Sequence, residues 1–166
     1  GPLHWTGINF NWNFMCADCH STNLKKNYDP KTKRHHTTWE SINVSCEACH
    51  GPASQHIDWA KKQDGTLSHS GFAVTLNHKG RKWFIDEKTF KPKLVDGNLS
   101  VRDREIEVCA KCHARRSQLD DDYKPGDHFR DHYLPVQLAE GLYFADGKIQ
   151  DEVYVYDSFL QSAMYA

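Results

Sequence analysis

Cys16-Ala17-Asp18-Cys19-His20 returns twice along the chain, as Cys46-Glu47-Ala48-Cys49-His50 and as Cys109-Ala110-Lys111-Cys112-His113. The three copies take up all six cysteines of the 166 residues. On one helical turn, residues at i, i+3 and i+4 share a face, so the two thiols and the histidine of each copy project the same way. Such a Cys-x-x-Cys-His turn reads as covalent c-type haem attachment, with the thiols reaching the two vinyl groups of one porphyrin and the imidazole serving as proximal iron ligand. The cofactor-binding residues are then Cys16, Cys19, His20, Cys46, Cys49, His50, Cys109, Cys112 and His113, for three haem c groups. A zinc site would pair two of the Cys-x-x-Cys knuckles and strand the third. A thioredoxin-like redox pair needs one motif in a βαβ context, and none is visible. A disulfide framework has no use for a histidine after every second cysteine.

The rest of the composition agrees with that reading. Only 39% of the residues are hydrophobic and the mean hydropathy is −0.75, although a chain of this length can bury a modest core. Three porphyrins would supply the missing apolar volume. The expected fold is therefore mostly α plus irregular loops with one or two small β-hairpins, a single domain over 1–166 packed around three covalent haems. Without them the chain is expected to be largely unfolded, because site formation and folding are coupled. A net charge of −1 gives no signal for nucleic acid. No run of 18 apolar residues marks a membrane span, and no signal peptide is present. Haem c is attached outside the cytoplasm, so the expected location is periplasmic or extracellular in a bacterium, reached by an export signal on the precursor.

Several stretches carry local signals. Residues 1–15 are rich in aromatics (Trp5, Phe10, Trp12, Phe14) without regular periodicity, and read as an extended segment laid on the first haem or equally as ordinary core aromatics. Residues 25–36 are basic, with a turn at Asp29-Pro30; they read as a solvated loop, as a docking patch for an acidic partner, or as cations near haem propionates. Gly51-Pro52 should stop the second motif's turn, and Ser54 can cap a short helix carrying His56, Trp59 and Ala60. Alternation at Phe72, Val74 and Leu76, turn residues at Asn77-His78-Lys79-Gly80, and Trp83 and Ile85 beyond them predict a β-hairpin. The first two motifs are 30 residues apart and the third follows 63 later, which suggests a close haem pair and a third haem on a separate helix. That helix is predicted over 101–118, with Asp103 and Glu105 near its start and Arg115 and Arg116 near its end. The acidic run Asp120-Asp121-Asp122 opens a loop. Gly141–Phe144 and Val153–Tyr156, with Asp146-Gly147 between them, predict a second hairpin, and 158–165 a helix.

The sixth iron ligand decides the chemistry. Eight of the eleven histidines remain after the proximal three. Met15 adjoins Cys16 and cannot swing to the far face of its own haem, and Met164 lies at the end, so methionine ligation is disfavoured and bis-histidine iron is expected. His56 follows His50 too closely to cross the same porphyrin but can reach an adjacent one. His4, His56 and His132 are the candidate distal metal ligands, beside His20, His50 and His113. His128 is held in reserve. His35 and His36 read as solvated, and His69 and His78 flank the first hairpin.

The chain also resembles a segment of the multihaem c-type cytochromes of exported bacterial proteins. These include cytochrome c-554-like modules and larger proteins that join such modules to tetratricopeptide repeats. The resemblance rests on Leu3-His4-Trp5-Thr6-Gly7, Asn11-Trp12-Asn13-Phe14-Met15-Cys16, His20-Ser21-Thr22-Asn23-Leu24 and Val44-Ser45-Cys46 through Pro52. It extends to Ala114-Arg115-Arg116-Ser117-Gln118 and Asp151-Glu152-Val153-Tyr154-Val155-Tyr156. It covers most of the chain except about 61–100. In proteins of this kind a Gly-Pro-x-x-x-His after a haem motif often supplies a distal ligand to a neighbouring haem, which implies that role for His56. The relatives usually carry more motifs on either side, so 1–166 fits a whole trihaem domain or a piece of a larger multihaem protein.

Three functional classes follow. An electron-transfer protein needs three six-coordinate haems and a redox donor and acceptor as partners. A haem-based reductase or oxidase of nitrogen or sulfur compounds, or a gas sensor, needs one haem with an open distal site. All three motifs end in histidine and histidine is in excess, which favours electron transfer over an enzyme.

Overall fold

The computed structural model describes residues 4, 7, 10–62, 70–76, 82–96, 104–162 and 165. The chain divides into two compact units: Gly1–Thr75 with Asp120–Asp127, and Leu76–Leu119 with His128–Ala166. Motifs one and two lie in the first unit, motif three in the second.

The first unit holds helices α1 (Trp12–Met15), α2 (Glu47–His50) and α3 (Ser54–Lys62), and the two-residue strands β1 (Tyr28–Asp29) and β2 (Arg34–His35). Asn11 caps α1, its Oδ1 accepting from Asn13 N at 3.0 Å; the expected extended entry into motif one is therefore a helical turn at 12–15. β1 and β2 pair antiparallel around a turn that Asp29 organises. Its carboxylate accepts from Lys31 N at 2.8 Å and from the Thr32 hydroxyl at 2.7 Å. These bonds, the Thr32 hydroxyl foremost, hold that carboxyl below the usual carboxylate range. The basic loop is not wholly solvated. Lys25 Nζ donates to the Asp121 carbonyl and lies 3.7 Å from an Asp122 carboxylate oxygen, and Lys26 N donates to Asp121 Oδ2 at 3.1 Å. The acidic run thus folds back on part of the basic one. α2 ends where Gly-Pro predicts: Gly51 has φ +72° and ψ −171°, a region open essentially to glycine alone. α3 carries His56, Trp59 and Ala60 as expected.

The second unit holds β3 (Lys82–Ile85), β4 (Pro92–Asp96), α4 (Arg104–His113), β5 (Arg116–Gln118), α5 (Phe129–His132), β6 (Tyr133–Pro135) and α6 (Tyr156–Leu160). Its core gathers Val108 and Ala110 of α4 with Phe129, Tyr133, Tyr143, Val153 and Tyr156. Phe129 stacks on Tyr133 and meets Tyr156 edge-on, each at 5.3 Å between centroids. Glu107 of α4 accepts from Phe129 N at 2.6 Å and so caps α5. Glu105 and Glu107 in the first turn of α4, and Lys111 and His113 in its last, suit the helix dipole.

Several expectations need correction. The fold is mixed α and β, not mostly α. Among the described residues only α3 and α4 exceed five residues, and three two-stranded antiparallel sheets stand beside them. The helix predicted over 101–118 spans Arg104–His113 in the described residues; Asp103 lies outside them. Arg116–Gln118 pairs instead with Tyr133–Pro135, since Arg115 N bonds Val153 O at 3.2 Å and Val136 N bonds Arg115 O at 2.9 Å. Tertiary pairing overrides the helix propensity of those residues. The first hairpin is Lys82–Ile85 with Pro92–Asp96. Phe72, Val74 and Leu76 form no strand; the backbone of Val74 bonds His50 of the second motif instead. Asn77–Gly80, with His78, lies outside the described residues, as do Trp5, His69 and Met164. The second hairpin is only a local turn. Phe144 N bonds Lys148 O at 2.8 Å, and Gly147 takes φ +81°, which its lack of Cβ permits. Val153 pairs with Arg115 rather than with Gly141–Phe144. The terminal helix is Tyr156–Leu160.

Candidate haem sites

Each motif is one helical turn, formed three ways. In the first, His20 N bonds Cys16 O at 3.0 Å, directly after α1, and Ala17 N bonds Trp12 O at 2.8 Å. In the second, Cys46 precedes α2 and His50 N bonds Cys46 O at 3.0 Å. The third is the last turn of α4 and ends with Ala114 N on Ala110 O at 3.1 Å. The spacers anchor these turns. Ala17, Asp18 and Ala110 are buried, and Glu47 accepts from Ala53 N at 2.8 Å. None of the attachment residues is fully buried. Cys46 and Cys109 are exposed, the other four cysteines are half-buried, and none forms a disulfide. His20 and His113 are exposed and His50 is half-buried.

Uncovered apolar side chains adjoin these turns. Phe14 (57% exposed) and Met15 directly precede Cys16, Ile42 and Val44 precede Cys46, and beyond His113 Leu119 follows β5 while Leu134 sits on β6. Trp12 meets Trp39 edge-on at 5.5 Å. Apolar groups left open in such numbers mark a surface that something apolar covers. A porphyrin face beside each pair of thiols fits that demand, so the residues present suit haem c. Among the described residues no group of three or more His, Cys, Asp or Glu converges on a metal position.

His50 has a defined outer partner. Its Nδ1 faces Val74 O at 3.4 Å, while its own carbonyl accepts from Val74 N at 3.2 Å. Among the candidate distal ligands, His56 is the best positioned. It is half-buried on α3, with Nδ1 2.6 Å from Ser70 O. A carbonyl oxygen can only accept, so the ring nitrogen facing it carries the proton, and Nε2 keeps the lone pair that a metal requires. His56 also stacks on Phe72 at 3.8 Å and on Trp59 at 5.4 Å. His132 ends α5, the helix packed on motif-bearing α4, and its carbonyl accepts from Leu119 N at 2.8 Å. His4 is exposed, its carbonyl accepting from Gly7 N at 2.7 Å, and His128 is the exposed residue preceding α5. Motifs one and two are brought together with His56 in one unit, and motif three with His132 in the other.

His35 departs from its sequence reading. It is half-buried, with its ring 5.2 Å from Phe14 and 4.9 Å from Tyr28, and its Nδ1 is buried without a hydrogen-bond partner. Its position in a basic run hid this, because only the pairing of β1 with β2 turns it toward Phe14. The Ser70 and Val74 carbonyls were also missed, since a backbone acceptor has no sequence signature.

No helix among the described residues is long and apolar enough to cross a membrane. No curated protein and no solved structure matches the chain. Residues 6–51, which span the first two motifs, match the family model described as cytochrome c554 and c-prime; this likeness supports a c-type cytochrome family, and with it haem c, redox partners and electron transfer.

Proposed function

We propose that the chain carries electrons through three covalently held haems, at Cys16, Cys19 and His20, at Cys46, Cys49 and His50, and at Cys109, Cys112 and His113. A second histidine on each iron makes it six-coordinate, with His56 the foremost candidate and His4 and His132 beside it. A bound haem supplies one-electron iron chemistry. The chain's own residues would hold it through the thiols and the proximal imidazole, and exposed Trp12, Phe14 and Val44 would offer it apolar cover. Exported c-type proteins meet their redox donors and acceptors in the periplasm or outside the cell, and we place this one there.

The observation that carries this reading is that all three Cys-x-x-Cys-His segments fold as single helical turns, with no cysteine in a disulfide and none fully buried. The test is the intact mass of the chain matured by a c-type haem attachment system, together with its carbon monoxide difference spectrum. Three haem increments and a Soret band unmoved by carbon monoxide support it. Fewer increments sink the trihaem reading. A carbon monoxide complex on one third of the haem would point to an open iron, and so to reductase or sensor chemistry.

A further inference from the structure

The segment Ser70–Val74 belongs to no strand or helix, yet it touches two histidines in succession. Ser70 O takes the Nδ1 proton of His56 at 2.6 Å. Val74 O faces Nδ1 of His50 at 3.4 Å, and Val74 N bonds the His50 carbonyl at 3.2 Å. Between these two points the Phe72 ring contacts both imidazoles, stacked on His56 at 3.8 Å and tilted against His50 at 5.1 Å.

The segment is itself clamped at both ends. Gly71 has φ +73°, and a Cβ there would lie 2.6 Å from the Gln55 carbonyl carbon and oxygen and 2.7 Å from His56 N. Only glycine lets the strap lie against the first turn of α3. At the other end Val74 is buried, and a Cβ on Gly126 (φ +98°) would come within 2.8 Å of Val74 Cγ2. The strap is thus pinned between α3 and the 120–127 loop of the same unit. Its carbonyls cannot turn away from the two rings without breaking one of these contacts.

We infer that Ser70–Val74 is a positioning strap shared by the axial histidines of two different haems, fixing the tautomer and ring plane of His50 and of His56 together. This rests on the proposed function, in which His50 serves the second haem and His56 a neighbouring one. A ligating imidazole whose other nitrogen donates to a carbonyl is a more basic ligand with a fixed plane, and both properties lower and define an iron potential. The 2.6 Å bond grips His56 harder than the 3.4 Å contact grips His50. Phe72 ties the two rings together, so a change at one position reaches both irons.

The experiment replaces Phe72 in the haem-loaded chain, as Phe72→Leu and as Phe72→Tyr. It reads haem count by intact mass, the resolved midpoint potentials, and the low-spin electron paramagnetic resonance signals, which report ligand-plane angles. The expected result is a full haem count, a shift in the potential and signal of two haems, and no change in the haem at Cys109 and Cys112. Phe72→Tyr keeps the ring and should restore both. Gly126→Ala, whose Cβ meets Val74 first, should move the His50 haem more than the other. A shift at one haem only would overturn the shared strap while leaving electron transfer standing, and no shift at all would overturn positioning by the strap. A haem count below three in the unmodified chain would instead count against the trihaem reading.

Discussion

The Thr22 hydroxyl accepts from the Ser45 amide at 2.9 Å and donates to the Asn43 carbonyl at 2.6 Å. Thr22 stands two residues after His20 and Ser45 one before Cys46, so one buried side chain pins the exit of the first attachment turn to the entry of the second. The backbone adds a second fastening, with Thr22 N on Ser41 O at 2.8 Å and Glu40 N on Thr22 O at 3.0 Å. A gap of 30 residues in the sequence is in this way closed to a hydrogen bond.

Thr22→Val keeps the shape and removes the hydroxyl. The Ser45 amide and Asn43 carbonyl lose their partner; Ser45 is half-buried and Asn43 exposed, so water replaces part of the bonding and the cost is about 1 kcal/mol. Thr22→Ser keeps both bonds and gives up one methyl, about 0.8 kcal/mol or less. Chemical denaturation of the haem-loaded variants checks the order; a Thr22→Val chain as stable as Thr22→Ser would show that the backbone pairs alone hold the motifs.

The acidic run offers a contrast between neighbours. Asp121 accepts from the Lys26 backbone amide at 3.1 Å, whereas the Asp122 side chain is 90% exposed and meets Lys25 at only 3.7 Å. Asp121→Ala should therefore cost about 1 kcal/mol. Asp122→Ala should stay within about 0.5 kcal/mol, as exposed ion pairs do. Melting of both variants at low and high salt tests this, and equal losses would contradict it.

Replacing His56 with Met exchanges an imidazole for a thioether, which raises haem potential. If His56 ligates an iron, that haem's midpoint moves clearly upward, the His50 haem shifts by less through the shared Phe72 contact, and the haem at Cys109 and Cys112 keeps its value in the unmodified chain. An unchanged redox titration and spectrum would remove His56 from the ligand set and leave Nδ1 on Ser70 O as an ordinary packing bond.

The attachment turns, the stop at Gly51 and the helix bearing His56 were legible because each is local: spacing, a glycine followed by proline, and a short run of helix formers suffice. The helix–strand boundary at Ala114 was not, because Arg116–Gln118 becomes a strand only through pairing with Tyr133–Pro135. Phe72 and Val74 alternate like strand residues, but the alternation serves two histidines rather than a sheet. The mostly α expectation failed for the same reason. The haem motifs require single helical turns and say nothing about the chain between them, which closes its backbone bonds in short hairpins and turns. His35 shows the limit from the other side, since a basic neighbourhood predicts solvent and only the fold reveals the Phe14 contact.

Tyr143 carries a pH dependence whose sign can be worked out. It is buried, its hydroxyl donating to Asp157 Oδ2 at 2.9 Å. Burial first, and the bond to Asp157 second, push its pKa up to about 12, against roughly 10 in an unfolded chain. Between those values the unfolded state has released the proton and the folded state still holds it. The unfolded state then binds fewer protons, and stability falls as pH rises. The contribution is fully present below about pH 10 and is lost as pH climbs toward the folded value. Tyr156, raised in the same direction by burial, adds to the slope. Thermal melts across this range should show a steeper decline for the unmodified chain than for Tyr143→Phe. Asp157→Asn should lower the Tyr143 pKa only part of the way, because burial remains, and the ultraviolet absorbance of tyrosinate reads it directly. Identical alkaline slopes for Tyr143→Phe and the unmodified chain would mean that the tyrosine ionises without reference to the fold.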